Sequence, residues 1–226
     1  DTFLLLTAFV ENSVEQTRAA LDAAVAAGVK HVVKLSAAGA SKDAPARLVR
    51  NHGLGEQSVR DSGLGWTIVR PTFFMDNFVN FQGESLRSQG VFYGAAEDGK
   101  IAYVSATDVG RVIAAALSSP GAHQSQVYEV TGAEAFSEAE AARQLSAVLE
   151  RPVRYENVGT EAFKTSLIDS GMSPFHVEGL VFLEDVKAKG WASGTTDVVK
   201  LVTGEAPESF DGFIRRNRDA LQSASL

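Results

Sequence analysis

The sequence predicts an α/β fold with a doubly wound parallel sheet and a smaller, mainly helical C-terminal lobe. Short apolar runs at residues 3–6 and 29–35 are typical of strands that are covered on both faces. The segment between them has room for a helix, and two strands joined by a crossover of about a dozen residues form a parallel, right-handed unit. Repeated units of this kind build a doubly wound sheet.

The first crossover carries the signals of a helix. Ser13 and Gln16 form a capping-box pattern at its start, and Gly28 stands where a left-handed residue ends a helix. The predicted apolar face consists of Val14, Leu21 and Val25. We therefore expect one helix between Ser13 and Gly28.

The alternation of helices and strands continues to residue 151. The expected elements are a helix at about residues 45–62, a strand at 66–70, a helix at about 108–117 and a strand at 127–130. Ser105 is placed to cap the third helix toward Asp108. Ser137 and Glu140 form a second capping box at the start of another helix, which cannot continue past Pro152. We assign residues 1–151 to the sheet domain.

Residues 152–226 are assigned to the smaller lobe. The pattern there predicts a short strand at 153–158 and helices at about residues 161–170, 174–189 and 207–221. No linker rich in proline or serine precedes this segment. We therefore expect the lobe to pack directly on the sheet, and the residues of the two parts to interleave where they meet.

Composition excludes several classes of function. The 226 residues carry a formal net charge of -7 and no cysteine, and no apolar run approaches the ~18 residues of a membrane span. An acidic chain is unsuited to direct contact with nucleic acid, and a chain without thiols forms no disulfide or thiolate metal site. The histidines lack zinc-ligand spacing. We expect a cytoplasmic protein without a metal. The histidines are His31, His52, His123 and His176.

Six segments occur in a specific order and spacing over nearly the whole chain. They are residues 28–39 (GVKHVVKLSAAG), His52-x-x-x-Glu56, residues 61–64 (DSGL), 67–77 (TIVRPTFFMDN), 106–110 (ATDVG) and 201–210 (LVTGEAPESF). Together they resemble the NmrA-like family of atypical short-chain dehydrogenases/reductases. The resemblance implies a Rossmann-like fold, a bound NADP or NAD with NADP favoured, and a small-molecule substrate.

That family begins with a strand, a glycine-rich turn and a helix whose N-terminus holds the cofactor pyrophosphate. The first glycines here are Gly28, Gly39, Gly53 and Gly55, which do not form such a turn. By resemblance, residues 3–6 correspond to the fourth strand of the fold, so we expect roughly 70 residues, at about 30 per βαβ unit, to be missing. Strand 3–6 then becomes an exposed apolar edge, which favours association into a homodimer or aggregate and leaves cofactor binding by this chain in doubt.

The resemblance places the nicotinamide half of the cofactor site at three strand ends. Residues at the carboxyl ends of parallel strands share one edge of the sheet, where ligands bind in doubly wound folds. The implied cofactor-binding residues are Thr7, Ala8 and Phe9, then Leu35, Ser36 and Ala37, then Pro71, Thr72 and Phe73.

The candidate catalytic residues are His52, Glu56 and Ser36. The Tyr-x-x-x-Lys acid motif of the wider superfamily is absent, and His52 and Glu56 fall where that tyrosine and lysine would be. An i, i+4 pair shares one helix face, so Glu56 is placed to orient His52 as a proton donor. The alternative is an exposed helical ion pair. Ser36 takes the place of the serine that binds a substrate oxygen, or else it satisfies its own loop.

Phe74, Asn77 and Phe78 are the expected substrate contacts. They belong to an aromatic stretch at largely helical spacing that is suited to wall a flat substrate. The alternative is ordinary core packing of a helix.

Two main functions follow from these features. The first is an NAD(P)H-dependent oxidoreductase that acts on quinone-like or other activated acceptors, which need little acid catalysis once hydride has arrived. The second is a non-catalytic NAD(P) redox sensor that regulates a protein partner. A structural fragment without cofactor is a third interpretation.

Overall fold

A parallel sheet with helices on both faces forms the first part of the fold. The computed structural model describes residues 1–222. Its strands in chain order are β1 (Thr2–Leu5), β2 (His31–Leu35), β3 (Gly65–Pro71), β4 (Val91–Gly94), β5 (Lys100–Ile101), β6 (Gln126–Val130), β7 (Phe136–Ser137) and β8 (Arg154–Asn157). The main sheet has the order β1-β2-β3-β6 and is parallel throughout. The predicted α/β fold class is confirmed.

Helices connect the strands and also form most of the C-terminal third. In chain order they are α1 (Ser13–Ala26), α2 (Arg47–Asp61), α3 (Asn77–Asn80), α4 (Gly83–Gln89), α5 (Ala106–Ser118), α6 (Glu138–Leu149), α7 (Thr160–Asp169), α8 (Pro174–Ala188), α9 (Val198–Thr203), α10 (Phe210–Arg216) and α11 (Arg218–Leu221). None of the helices within residues 1–222 combines the length and the apolar character needed to cross a bilayer.

The two faces of the main sheet bury different apolar clusters. On one face, Leu21 of α1 and Val59 of α2 pack against Leu5 and Val32. On the other face, α5 and α9 cover β2, β3 and β6 with a valine-rich cluster. Successive residues of a strand point to opposite faces, so an apolar strand such as β2 can contribute to both clusters.

The edge strand β1 is apolar and open on one side. Within residues 1–222 it pairs with β2 alone, and Leu4 within it and Leu6 just after it are exposed. An unpaired strand edge presents free backbone N–H and C=O groups. The exposed apolar edge that the sequence predicts is therefore present in this chain.

A second core, rich in aromatic side chains, fills the smaller lobe. In this cluster Tyr103 packs against Phe78 and Phe136. Phe78 in turn contacts Phe92, and Phe136 contacts Phe210. Two small sheets, β4 with β8 and β5 with β7, accompany it. Its members come from both sides of residue 151, because α6 and α10 pack together with residues that follow β3. The division at residue 151 therefore stays a prediction about chain organisation, with interleaving in this core.

Some local signals are confirmed. Ser105 Oγ accepts from the Asp108 N–H, and Ser137 and Glu140 form the reciprocal capping box. Gly28 adopts the left-handed conformation, with φ 74°.

Other local expectations are wrong. The N-cap residue of α1 is Asn12 and not Ser13, which is the first residue of the helix, and Gln16 Nε2 donates to Asn12 Oδ1. Val25 is exposed because the helix turns it away from the sheet. The single helix expected at residues 207–221 is interrupted at Asn217, which separates α10 from α11.

Truncation of Phe210 should destabilise the lobe strongly. Phe210 is 1% exposed, and its ring lies 5.0 Å from Phe78 and 4.9 Å from Phe136. Phe210→Ala leaves a cavity in this core, so we expect a loss of about 3–5 kcal/mol in the free energy of unfolding by urea. Phe81→Ala is the matched control, because Phe81 is 78% exposed. Equal losses for the two variants would contradict the placement of the core.

Candidate active site

Three strand ends meet at one edge of the main sheet. Backbone pairing continues past the strands, since Ser36 N donates to Val69 O at 2.7 Å and Ala38 N donates to Pro71 O at 2.9 Å. The expected cofactor-binding residues after β1, β2 and β3 therefore lie along the same edge. Ser36 and Pro71 are buried there. The more accessible members of the set are Thr7, Ala8, Phe9, Leu35, Ala37, Thr72 and Phe73.

Glu56 forms the central polar contact of this edge. The Ser36 hydroxyl donates to Glu56 Oε1 at 2.6 Å, and Arg70 donates to both carboxylate oxygens, from Nε at 2.8 Å and from Nη2 at 2.7 Å. Arg60 adds a contact to Oε2 at 3.2 Å. Glu56 is 1% exposed. The interpretation of Glu56 as half of an exposed ion pair is therefore wrong, because it is buried and joins α2 to β2 and β3.

These contacts keep Glu56 ionised inside the fold. Burial opposes the charge, but hydrogen bonds from Arg70 and Ser36 outweigh that effect and lower the pKa of Glu56 below its usual value. Arg70 is itself held by Glu129 Oε1 at 2.9 Å and by the Ala40 carbonyl at 3.2 Å. The Ser36 proton is committed to Glu56, so Ser36 can offer a substrate only its oxygen lone pairs while this bond is intact.

His52 lies next to this network without joining it. Among residues 1–222, no group hydrogen-bonds to either ring nitrogen of His52. The expected orientation of His52 by Glu56 is therefore corrected, because Ser36, Arg70 and Arg60 already occupy both Glu56 oxygens. Burial, followed by the charge of Lys34, lowers the pKa of His52 to about 4. At that pKa the imidazole is uncharged at neutral pH, and its two nitrogens have no hydrogen-bond partner within residues 1–222.

Lys34 is a charged residue of this region that sequence reasoning missed. It lies on β2, two residues before Ser36, and is 1% exposed. Burial lowers the pKa of Lys34 to about 8, although the charge of Glu56 acts in the opposite direction. The signal in the sequence was a lysine inside an apolar strand of the pattern HVVKL. Lysine is almost never fully buried without a partner.

The expected substrate residues lie in different environments. Phe78 is buried in the aromatic core, where its ring packs against Phe92 and Tyr103, so core packing accounts for its position. Phe74 is half-buried against the valine-rich cluster, and Asn77 is half-buried at the start of α3. The helical spacing was misleading because α3 covers only Asn77–Asn80.

Helix α8 covers the end of β1. His176 Nε2 donates to the Phe9 carbonyl at 2.8 Å, and the Phe9 ring lies 4.7 Å from the His176 ring. Gly179 permits this approach, since a Cβ there would lie 3.2 Å from Phe9 Cζ. Arg47 Nε donates to Glu178 Oε2 at 2.9 Å on the same side. The C-terminal part therefore closes one side of the strand-end edge.

Three adjacent strand ends lie beside a His52 ring whose nitrogens have no hydrogen-bond partner within residues 1–222. No glycine precedes Gly28 in the sequence, so residues 1–27 form no glycine-rich turn of the kind that holds a pyrophosphate. Within residues 1–222, no three His, Asp or Glu side chains are grouped as metal ligands.

Removal of the Glu56 charge should destabilise the fold in a pH-dependent way. Glu56→Gln leaves the half-buried Arg70 guanidinium without its main partner, so we expect a loss of about 2–3 kcal/mol in the free energy of unfolding at neutral pH. A lowered carboxyl pKa stabilises the fold above the unfolded-state pKa, and this contribution disappears as the pH falls through the folded-state pKa.

Urea unfolding from neutral pH to about pH 3 measures this difference. The difference in the free energy of unfolding between the wild type and Glu56→Gln should become smaller as the pH falls. Glu134→Gln is the control, since Glu134 is exposed. If this difference in the free energy of unfolding does not change with pH, the charge of Glu56 does not stabilise the fold.

Comparison with known proteins places this arrangement in a family. The chain is 35% identical over 224 residues to an NAD(P)H azoreductase from Xenophilus azovorans, covering 99% of the chain and 78% of that protein. It is 36% identical over 199 residues to a (4-alkanoyl-5-oxo-2,5-dihydrofuran-3-yl)methyl phosphate reductase from Streptomyces griseus, covering 88% of the chain and 70% of that protein.

A solved structure agrees with these relatives. The NADPH-dependent quinone oxidoreductase QOR2 of Escherichia coli, complexed with NADPH, superposes with a TM-score of 0.84 at 26% identity, covering 95% of this chain and 75% of that chain. The NmrA-like family matches residues 1–214. The resemblance that the sequence motifs indicated is confirmed, and the chain belongs to the NmrA-like family.

Proposed function

We propose that this chain forms the nicotinamide and acceptor side of an NAD(P)H-dependent oxidoreductase that reduces quinone-like or other activated acceptors. The observation that carries the proposal is the position of His52, whose ring nitrogens have no hydrogen-bond partner within residues 1–222, next to three strand ends at one edge of the sheet. The relatives named above are reductases of azo, furanone and quinone compounds by their names. These acceptors share a conjugated system that accepts hydride readily.

In this proposal, the strand ends hold the flat nicotinamide ring and exclude water from it. The bound cofactor supplies the hydride from its nicotinamide C4. Thr72 is fixed for this purpose, since its hydroxyl donates to the Ala102 carbonyl at 2.6 Å. Phe73 is fixed against the Tyr103 ring at 6.3 Å. Rigid strand ends maintain the short donor–acceptor distance that hydride transfer needs.

His52 interacts with the acceptor in this proposal. A neutral imidazole offers one N–H donor and one nitrogen acceptor. The N–H can stabilise the negative charge that develops on an acceptor oxygen or nitrogen when hydride arrives. Glu56 and Ser36 act differently from the sequence expectation, because they fix α2 and thereby the position of His52.

The non-catalytic sensor is not favoured, because the two relatives described above are reductases by their names. The preference for NADP over NAD remains part of the proposal, as do a homodimer and a cytoplasmic location. In folds of this type, the choice between NADP and NAD depends on residues at the end of the second strand of the complete dinucleotide-binding fold, which is not β2 of this chain. NADPH and NADH therefore both enter the assay.

The assay follows oxidation of each cofactor with a panel of quinones and azo dyes, using the protein that carries this chain. We expect turnover with the activated acceptors, and His52→Ala should lower kcat by about 10- to 100-fold. Gln57→Ala is the control, because Gln57 is exposed on the same helix. Cofactor binding without oxidation would support the sensor, and no binding at all would remove both functions. Unchanged kinetics of His52→Ala would exclude a role for His52.

A further inference from the structure

Lys34 has no ion-pair partner in the described part of the chain, although its side chain is fully buried. Within residues 1–222 it forms no salt bridge, and its one hydrogen bond reaches its neighbour's carbonyl, Leu35 O, at 3.5 Å. That distance is the outer limit of a hydrogen bond. Burying an ammonium with so few contacts is costly, and an apolar side chain of similar size would be favoured on stability alone. A role for the charge itself would explain why lysine stands here.

Helix α2 is shaped to leave room for the end of this side chain. A Cβ at position 55 would lie 3.1 Å from Lys34 Cε and 3.4 Å from Lys34 Nζ, so Gly55 accommodates the lysine. The same point is 3.5 Å from Thr17 Oγ1 on α1. The ammonium therefore lies between β2, α1 and α2, on the turn of α2 that separates His52 from Glu56.

The groups that face Lys34 are either uncharged or already hydrogen-bonded to other residues, with the exception of His52. From α1 the polar neighbour is Thr17, which is uncharged. From α2 the charged neighbour is Glu56, whose oxygens are taken by Arg70, Arg60 and Ser36. The paired strands β1 and β3 present Leu5 and Ile68 in register with Lys34.

His52 is the remaining titratable group, and it has no hydrogen bond within the described part of the chain. His52 lies three residues before Gly55 on α2, and residues three apart share a helix face, so the Lys34 ammonium beside Gly55 lies on the same face as the His52 side chain. The charge of Lys34 also contributes to the lowered pKa of His52. With pKa values of about 8 for Lys34 and about 4 for His52, the proton of this pair resides on the lysine at neutral pH. A neutral imidazole alone is a very weak acid, so it needs a proton at one nitrogen when it releases one from the other.

We propose that Lys34 is the proton reservoir of the site and acts through His52, which carries the proton from the buried ammonium to the reduced acceptor. The inference rests on the proposed oxidoreductase function. Lys34 touches neither cofactor nor acceptor in this scheme, so it is a positioning residue for the proton and His52 is the catalytic one.

Hydride from the cofactor C4 forms a new bond to the acceptor, which is reduced by two electrons and becomes an anion, while the cofactor is oxidised. The anion takes the proton from one nitrogen of His52, and the other nitrogen takes a proton that originates from the Lys34 ammonium. Lys34 is then neutral, His52 is neutral again, and solvent returns one proton to Lys34 before the next turnover.

Three variants separate charge from proton release. Lys34→Met keeps the length and removes the charge, whereas Lys34→Arg keeps the charge but does not release a proton at accessible pH. Lys30→Met is the control, because Lys30 is exposed just before β2. Each variant is assayed for cofactor oxidation as a function of pH, and its His52 ring is titrated by NMR.

In the wild type, kcat should fall above about pH 8, as Lys34 loses its proton. Lys34→Met should lack this alkaline limb and have kcat about 10- to 100-fold lower at neutral pH, with little change in KM. The pKa of His52 should rise in Lys34→Met and stay low in Lys34→Arg. Lys30→Met should behave as the wild type in both measurements.

An unchanged alkaline limb in Lys34→Met, or an unchanged His52 titration, would overturn the inference. If Lys34→Met does not fold, two other measurements test the inference. The fall of kcat at alkaline pH should be absent in Lys34→Arg, and NMR of the labelled wild type should show the Lys34 side chain titrating. If the wild type reduces no acceptor while His52 and Lys34 titrate as stated, the proposed function has failed and the reservoir falls with it. The two failures are distinguishable, because the wild type is active when only the inference about Lys34 fails and inactive when the proposed function fails.

Discussion

The bidentate contact between Arg70 and Glu56 organises the candidate site. It connects β3 to α2, and Ser36 extends the same carboxylate contact to β2. A two-pronged guanidinium–carboxylate pair fixes direction as well as distance, so it sets the rotation of α2 over the sheet. His52 lies one turn before Glu56 on this helix, so its position depends on the same contact. The strand-end edge is therefore arranged by a buried ion pair.

The same contact determines which charges remain available. Because Glu56 is fully occupied by Arg70, Arg60 and Ser36, it cannot form a bond to Lys34 or His52. Burial outweighs the opposing charge of Glu56 at both bases and lowers both pKa values. In the proposed mechanism, the Lys34 ammonium supplies a proton and the neutral His52 carries it to the acceptor. Groups with separated pKa values are a recurring feature of sites that transfer protons.

Much of the fold could be predicted from the sequence because its signals are local. Apolar strands, the caps at Ser105 and Ser137, and the left-handed Gly28 depend on neighbouring residues alone. The strand ends could be predicted for a similar reason, since parallel strands align their carboxyl ends. The partner of Glu56 could not, because Arg70 lies on another strand and the i, i+4 spacing drew attention to His52. The aromatic core was also missed, since Phe136 and Phe210 approach Phe78 only in the folded chain.

The central claim is that a nicotinamide cofactor binds at the ends of β1, β2 and β3, next to a neutral His52. NMR spectra of the isotopically labelled protein, recorded while NADPH is added, test this most directly. The account predicts that the largest amide shifts occur at residues 7–9, 35–37 and 72–73, together with a change in the His52 ring signals. Shifts confined to other parts of the chain, or a His52 ring that is protonated at neutral pH, would contradict it.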